Sequence, residues 1–156
     1  RSKKFHFVLV GDGPLRRQIE EDVAKRGLAP YVSFAGVRAD VPRLFTSLFD
    51  VFLFPSQSEG LGLVLVESQA ACCPAVISDI VPPEAEVVSR LITRLSLGSP
   101  AELWAEAVFR AARQPRSDAA RIAAHQSVAN SPLNISVCVK NLTSLYLREV
   151  SRRKAA

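Results

Sequence analysis

The stretch Pro55-Ser56-Gln57-Ser58-Glu59-Gly60-Leu61-Gly62-Leu63-Val64-Leu65-Val66-Glu67-Ser68-Gln69-Ala70-Ala71-Cys72-Cys73-Pro74-Ala75-Val76-Ile77-Ser78 reads as strand end, glycine loop, helix and second strand. The apolar run Val51-Phe52-Leu53-Phe54 enters it as a buried strand. Gly60 and Gly62 allow a tight turn and a close approach of the backbone to a ligand. A helix is expected to open near Leu61, with its first free amides, through Leu63, facing whatever sits over the loop. Such a helix start attracts phosphate through those amides and through the helix dipole. Two carboxylates frame it, Glu59 in the loop and Glu67 about two turns into the helix.

Glu67 is the residue that calls for explanation. Its helix is apolar on most sides, so burial is expected. A carboxylate there is costly unless hydrogen-bonded. A ribose would satisfy it by donating two hydroxyls. Glu59, beside it, could take the hydroxyls of a sugar. Phosphate on the amides of Gly60, Leu61, Gly62 and Leu63, ribose on Glu67 and sugar on Glu59 together describe a nucleotide-sugar.

Outward from this stretch the chain alternates strand and helix. Phe5 to Val10 is a near-continuous apolar run, as in a strand covered on both faces. Gly11-Asp12-Gly13-Pro14 turns it. Pro14 suits the first position of a helix whose apolar face is Leu15, Ile19 and Val23, ending at Gly27. The pattern invites comparison with G-x-G-x-x-G, but Arg16 stands where the third glycine belongs, so a structural turn near donor phosphates is the better reading of Gly11 and Gly13. Val32 to Phe34 is a second strand ending at Gly36, and Asp40 is a fitting N-cap for a helix carrying Val41, Leu44, Phe45 and Leu48. Asp50 to Phe54 and Ala75 to Ile77 are the third and fourth strands, and 91–97 is an edge strand. Ser99-Pro100 opens a helix with Trp104 as a core anchor. A weaker helix covers 118–128, and Ser131 is expected to cap a long last one. This alternation predicts an α/β fold with a parallel, doubly wound sheet. In such sheets ligands sit beyond the carboxyl ends of the strands, where Gly11, Gly36 and the 56–62 loop all fall.

Composition narrows the class. The chain has 156 residues, enough for one domain with a full core, and its 48% hydrophobic content argues against disorder. No apolar run reaches the roughly 20 residues that span a bilayer, and no signal peptide opens the chain. The three cysteines, Cys72, Cys73 and Cys138, form no C-x-x-C pair and no disulfide framework, which suits a reducing cytosol. Cys72 and Cys73 read as small buried hydrophobes. The net charge of +5 is scattered over Arg16-Arg17, Lys25-Arg26 and Arg152-Arg153-Lys154 without interleaved aromatics, so it reads as solvated faces rather than a nucleic-acid surface. A weak preference for an anionic membrane surface is the sharper alternative. His6 and His125 stand alone, and no D-x-D or His/Cys cluster suggests a metal. Asn134-Ile135-Ser136 and Asn141-Leu142-Thr143 match the glycosylation pattern by accident within a helix.

Glu59 and Glu67 stand in an E-x7-E arrangement within P-S-x-x-E-G-x-G-L-x-L-x-E-x-x-A. In this the chain resembles the group 1 (family 4) retaining glycosyltransferases of GT-B fold. Val8-Leu9-Val10-Gly11-Asp12-Gly13-Pro14-Leu15 is similar to the family's V-G-x-G-P strand and turn, and Val32-Ser33-Phe34-Ala35-Gly36-Val37 to its V-x-F-x-G strand. The motifs come in the family's order over the first half of the chain. The chain departs in two places. Val81-Pro82 stands where many members carry a glycine pair before Pro-Glu, and Cys72-Cys73 where Gly-Lys is usual. The first departure resembles a subgroup that makes capsular or exopolysaccharide.

The resemblance implies a Rossmann-like three-layer sandwich over 1–156, one half of a GT-B fold, with a helical C-terminus. By the same comparison the first strand and helix of that half, with an Arg and a Lys for the donor diphosphate, and the whole N-terminal acceptor domain are missing. The phosphates would then have backbone amides, Ser56 or Ser58, and Arg16. The resemblance makes Glu59 catalytic. Glu67, Gly60, Leu61, Gly62, Leu63, Ser58, Gly11, Gly13, Val37 and Arg38 would bind the donor, the loop at Val37 and Arg38 holding the base through its backbone. It implies a UDP- or GDP-linked sugar, transfer with retention, the leaving phosphate as base, no metal and no other cofactor. The expected partners are the donor, the N-terminal domain and a lipid-linked acceptor, with no nucleic acid. The expected place is the cytoplasm or the inner membrane face. Two other readings stay open: a sugar-nucleotide epimerase half, which lacks an obvious acid/base pair here, and a degenerate domain that binds a partner.

Overall fold

A computed structural model describes residues 5–155, with side chains to Arg153. Lys154, expected in the basic tail, has its side chain outside the described set. Among the described residues the chain divides into two compact units between Val41 and Pro42.

The first unit is one strand-helix-strand crossover. Strand β1 (Phe7–Val10) pairs in parallel with β2 (Val32–Gly36), in the register Phe7↔Val32, Val8↔Ser33, Leu9↔Phe34 and Val10↔Gly36. Helix α1 (Arg16–Lys25) joins them. It starts two residues after Pro14, which lies in the turn and not in the first helical position. Its end is a Schellman cap: Gly27 takes φ +67°, and the Leu28 amide donates to the Val23 carbonyl at 2.9 Å. The expectation that β1 is covered on both faces does not hold, since Phe7, Leu9 and Val10 keep between 37% and 41% of their surface exposed. The strand has one ladder neighbour, and no residue of α1 is fully buried.

The second unit carries the core. Its sheet has the order β3-β4-β5, all parallel, from β3 (Phe52–Phe54), β4 (Ala75–Ser78) and β5 (Ile92–Leu95). The parallel strands form the ladder β1-β2 in the first unit and β3-β4-β5 in the second. The central β4 is buried along its whole length. Its side chains alternate between faces. Ala75 and Ile77 pack with Leu65 and Val66 of α3 (Leu63–Ala70), whereas Val76 packs with Ala107 and Ala111 of α4 (Ala101–Ala111). Helix, sheet and helix thus form three layers within this unit. Trp104 anchors the α4 side, as its sequence position suggested. Helix α2 (Val41–Ser47) adds Phe45, whose ring meets Phe49 and Phe52 edge-on at centroid distances of 5.6 and 5.2 Å. Helix α5 (Asp118–Ala129), capped by the Ser117 hydroxyl, lies along α3.

The last helix, α6 (Ile135–Ala155), opens later than expected. Asn134 caps it, its Oδ1 accepting from the Ser136 amide at 2.9 Å, while the Ser131 hydroxyl oxygen takes the Leu133 amide in the preceding turn. The helix leaves an apolar stripe exposed, including Ile135, Val139, Leu142, Tyr146 and Val150. Among the described residues no helix is long and apolar enough to cross a membrane. The positive charge is distributed as expected, with Arg17 on Glu21 and Arg152 on Glu149 as exposed helical pairs.

Cys72 explains why the resemblance puts a glycine at its position. It is the one non-glycine residue with positive φ among those described, at +55°, closing α3 with hydrogen bonds donated by the Cys72 amide to the Gln69 carbonyl and by the Cys73 amide to the Ser68 carbonyl. A left-handed L-residue costs about 1–2 kcal/mol. Burial of the Cys72 side chain against Val88, Leu91 and Ala124 offsets that cost. Burial pushes the Cys73 thiol up to about 12. The folded-state value is thus above the unfolded one. Its contribution to stability is complete below the unfolded value, about 8.5, and is lost as pH rises through the folded value. Iodoacetamide at pH 8 is expected to label exposed Cys138 in the native protein. Cys72 and Cys73 should react only after denaturation, as peptide mass mapping would show.

Candidate donor-binding site

The loop between β3 and α3 leaves the carboxyl end of a parallel strand, the position where ligands bind in α/β sheets. Both of its ends are tied down. At the entry, the fully buried Ser78 donates its hydroxyl to the Ser56 carbonyl at 2.5 Å. At the exit, Gly62 takes φ +82° as the N-cap of α3. A Cβ on Gly62 would stand 3.4 Å from Val81 Cγ1 and 3.7 Å from Phe54 Cε1. Left-handed backbone and close packing together require glycine here. Gly60, by contrast, faces open space.

Glu59 sits half-buried at the centre of the loop. The Ser56 hydroxyl donates to its Oε1 at 2.7 Å, with the Ser58 carbonyl oxygen as a second acceptor 3.1 Å away. The carboxylate is oriented from below and keeps Oε2 for other donors. The helix starts at Leu63, two residues later than the sequence suggested, because Gly62 in its left-handed conformation must serve as the cap. The amides of Leu63 and Val64 therefore have no acceptor within α3. Leu61 is half-buried against the core and Leu63 is exposed.

Glu67 is exposed, contrary to the expectation of burial. The eight-residue α3 buries Leu65, Val66, Ser68 and Gln69, which turns Glu67 to solvent. The argument that a buried carboxylate demands a hydroxyl-bearing ligand falls with it. Glu67 remains on the helix that the glycine loop opens, available to a ligand but not in need of one.

The buried polar residue of this helix is Gln69, which the sequence reading passed over. It is fully buried, and its amide group is fully used. Nε2 donates to the carbonyls of Leu65 at 3.0 Å and Ala85 at 2.7 Å, and Oε1 accepts from the amides of Val87 at 2.8 Å and Val88 at 2.7 Å. A glutamine in a helix this apolar was the available signal.

The first unit holds the other expected residues. The Gly11 amide donates to the Gly36 carbonyl at 2.8 Å, joining the two glycine corners at the carboxyl ends of β1 and β2. The Gly13 amide donates to Asp12 Oδ1 at 2.8 Å. Arg16 is held by Glu20 at 2.8 Å and Asp12 at 3.4 Å, and its Nη1 lies 3.6 Å from where a Cβ on Gly36 would be. Arg38 is clamped by Asp40, with Nε and Nη2 each donating at 2.8 Å, and this pairing raises its pKa further. Val37 beside it is exposed. Gly11, Gly13, Val37 and Arg38 thus lie in the first unit, and Ser58, Glu59, Gly60, Leu61, Gly62, Leu63 and Glu67 in the second. Of the two histidines, His6 Nε2 lies 2.8 Å from Ser33 Oγ, and His125 lines a shallow cleft with Thr46, Ala71, Arg121 and Ile122.

Comparison with known proteins gives the family and the fold. The family model for glycosyl transferases group 1 matches residues 1–127. Among curated relatives, the putative glycosyltransferase EpsF of Bacillus subtilis (strain 168) is 43% identical over 116 residues, which is 74% of this chain and 30% of the relative. The O-antigen biosynthesis glycosyltransferase WclY of Escherichia coli is 32% identical over 103 residues, 66% of this chain and 29% of the relative. The chain thus spans about 30% of the length of the curated relatives it matches. Among solved structures, sucrose-phosphate synthase from Thermosynechococcus elongatus superposes with TM-score 0.73 at 22% identity, over 93% of this chain and 38% of that one. Anabaena HepE, solved with UDP and glucose, gives TM-score 0.66 at 22% identity, over 93% of this chain and 40% of that one. The α/β architecture with parallel strands is therefore that of a GT-B glycosyltransferase domain, and the chain belongs to the group 1 glycosyl transferases.

Proposed function

We propose that the chain is the donor-binding half of a retaining glycosyltransferase, taking a sugar from a nucleoside-diphosphate sugar for polysaccharide or glycolipid assembly. The observation that carries the reading is the Glu59 loop: a carboxylate held by Ser56 beside the uncapped amides of α3, at a strand's carboxyl end, in a chain of this family. Amides and dipole would take the diphosphate, and Glu59 the sugar hydroxyls. Glu67 would take the ribose. The solved relative with UDP and glucose supports a uridine-linked donor, and the names of EpsF and WclY support a surface polysaccharide as product. The N-terminal half of the enzyme and a lipid-linked acceptor at the inner membrane face complete the reading.

The diphosphate is neutralised by amides and cations with no metal in this proposal, so the test is run in EDTA. Titration of the labelled chain with UDP and with GDP should shift the amides of Gly60 to Leu63. Affinity is expected near millimolar, about −4 kcal/mol. Shifts confined to other surfaces, or none with either nucleotide, would leave a partner-binding domain as the better account.

A further inference from the structure

The segment that follows β4 does more than connect it to β5. Ser78 holds the entry of the glycine loop through the Ser56 carbonyl. Three residues on, the fully buried Val81 holds its exit by packing against Gly62. The loop bearing Glu59 is therefore seated on the end of β4 at both joints. Val81 packs in the core with Leu65, Ile77 and Ala85, and Arg94 of β5 holds the backbone that presents it. Its Nη1 donates to the Val81 carbonyl at 2.6 Å, its Nη2 lies 3.5 Å from the Pro82 carbonyl, and its Nε donates to Glu86 at 3.1 Å. These three contacts all fall on residues 81–86, and both charges of the Arg94–Glu86 pair are about three-quarters buried, at 27% and 24% exposure. This is the place where the resemblance leads one to expect a glycine pair, and where the chain has Val81-Pro82 instead.

Building on the donor-site reading above, we propose that Arg94 is a positioning residue for the donor loop, acting through Val81 on Gly62 and the first amides of α3. Removing the guanidinium leaves the Val81 carbonyl without its donor and Glu86 without its partner. The segment relaxes, Val81 withdraws from Gly62, and the cap that aims the Leu63 and Val64 amides changes its angle. Displacements of about 1 Å at a binding constellation suffice for large functional losses.

The test uses the full-length protein, with UDP as probe, well below its melting temperature. Arg94→Gln should weaken UDP binding about tenfold and move the Gly62, Leu63 and Val64 amide resonances in the nucleotide-free protein. Arg94→Lys keeps the charge beside Glu86 but loses the fork that serves Val81 as well, so it should recover only part of the affinity. Val81→Ala leaves Arg94 intact and should reproduce the same amide shifts, which keeps the test open should Arg94→Gln fail to fold. A purely structural arginine would lower the melting temperature while leaving UDP affinity and those resonances unchanged, and that result would overturn the proposal. Wild-type protein that binds neither UDP nor GDP would defeat the donor reading itself; the amide shifts without nucleotide would still decide whether Arg94 positions the loop.

Discussion

On the proposed donor-site reading, Glu59→Gln in the intact protein is expected to lower the rate of sugar transfer by roughly 10- to 150-fold, from the loss of about 1.5–3 kcal/mol for a hydrogen bond to a charged group. The substitution is close to isosteric. The carbonyl oxygen of the new amide can still accept from Ser56, so the 2.7 Å tether is kept. Gly60, beyond it, has open space around it and imposes no packing response. What changes is the second oxygen, the one Ser56 leaves free, which becomes an uncharged NH2 that donates and no longer accepts. If that oxygen accepts sugar hydroxyls, the loss appears in transfer, while UDP, which lacks the sugar, should bind with unchanged affinity. Thermal melting should not move, because a half-buried neutral amide replaces a half-buried carboxylate on the same partner. A variant with full transfer activity would show that Glu59 is a loop-former only. A variant that loses UDP affinity as well would place the carboxylate on the nucleotide instead.

The glycine loop was legible in the sequence because its requirements are local. Gly62 sits at φ +82°, a conformation few other residues accept, and a run of strand formers precedes it. The alternation of strand and helix was legible for the same reason. Burial was not, because it depends on which side of a helix meets the sheet. In α3 the apolar residues Leu63 to Val66 and the polar residues Glu67 to Gln69 each run consecutively, so periodicity gives no preferred face, and the reading placed Glu67 inside and overlooked Gln69. The structure reverses them: Leu65, Val66, Ser68 and Gln69 go inward and Glu67 outward. Strand β1 shows the same limit. Its apolar run resembles a doubly covered strand, yet coverage is set by neighbours in space, and β1 has β2 alone in its ladder. The clamp of Arg94 on 81–86 joins residues distant in sequence, with no motif to announce it.

Gln69→Leu tests the part of the site that sequence could not show. Leucine has nearly the volume of glutamine, so no cavity forms, and the cost is that of the hydrogen bonds. The amides of Val87 and Val88 lose their shared acceptor, and the Ala85 carbonyl loses its donor. The Leu65 carbonyl is less affected, since Ser68 Oγ also donates to it at 2.8 Å. Leaving a buried polar group unpaired costs about 1–3 kcal/mol. Val88 and Ala85 are buried and Val87 partly so. A local loss of about 3–5 kcal/mol follows, against the 5–15 kcal/mol that a domain typically has. Native-state hydrogen exchange reads this directly: the Val87 and Val88 amides should exchange at least roughly 100-fold faster, while those of Val76 and Ile77 in β4 change less. Equal acceleration everywhere would mean that Gln69 supports the whole unit. No acceleration at Val87 and Val88 would mean that other acceptors replace the glutamine, and that Arg94 alone holds the segment under the donor loop.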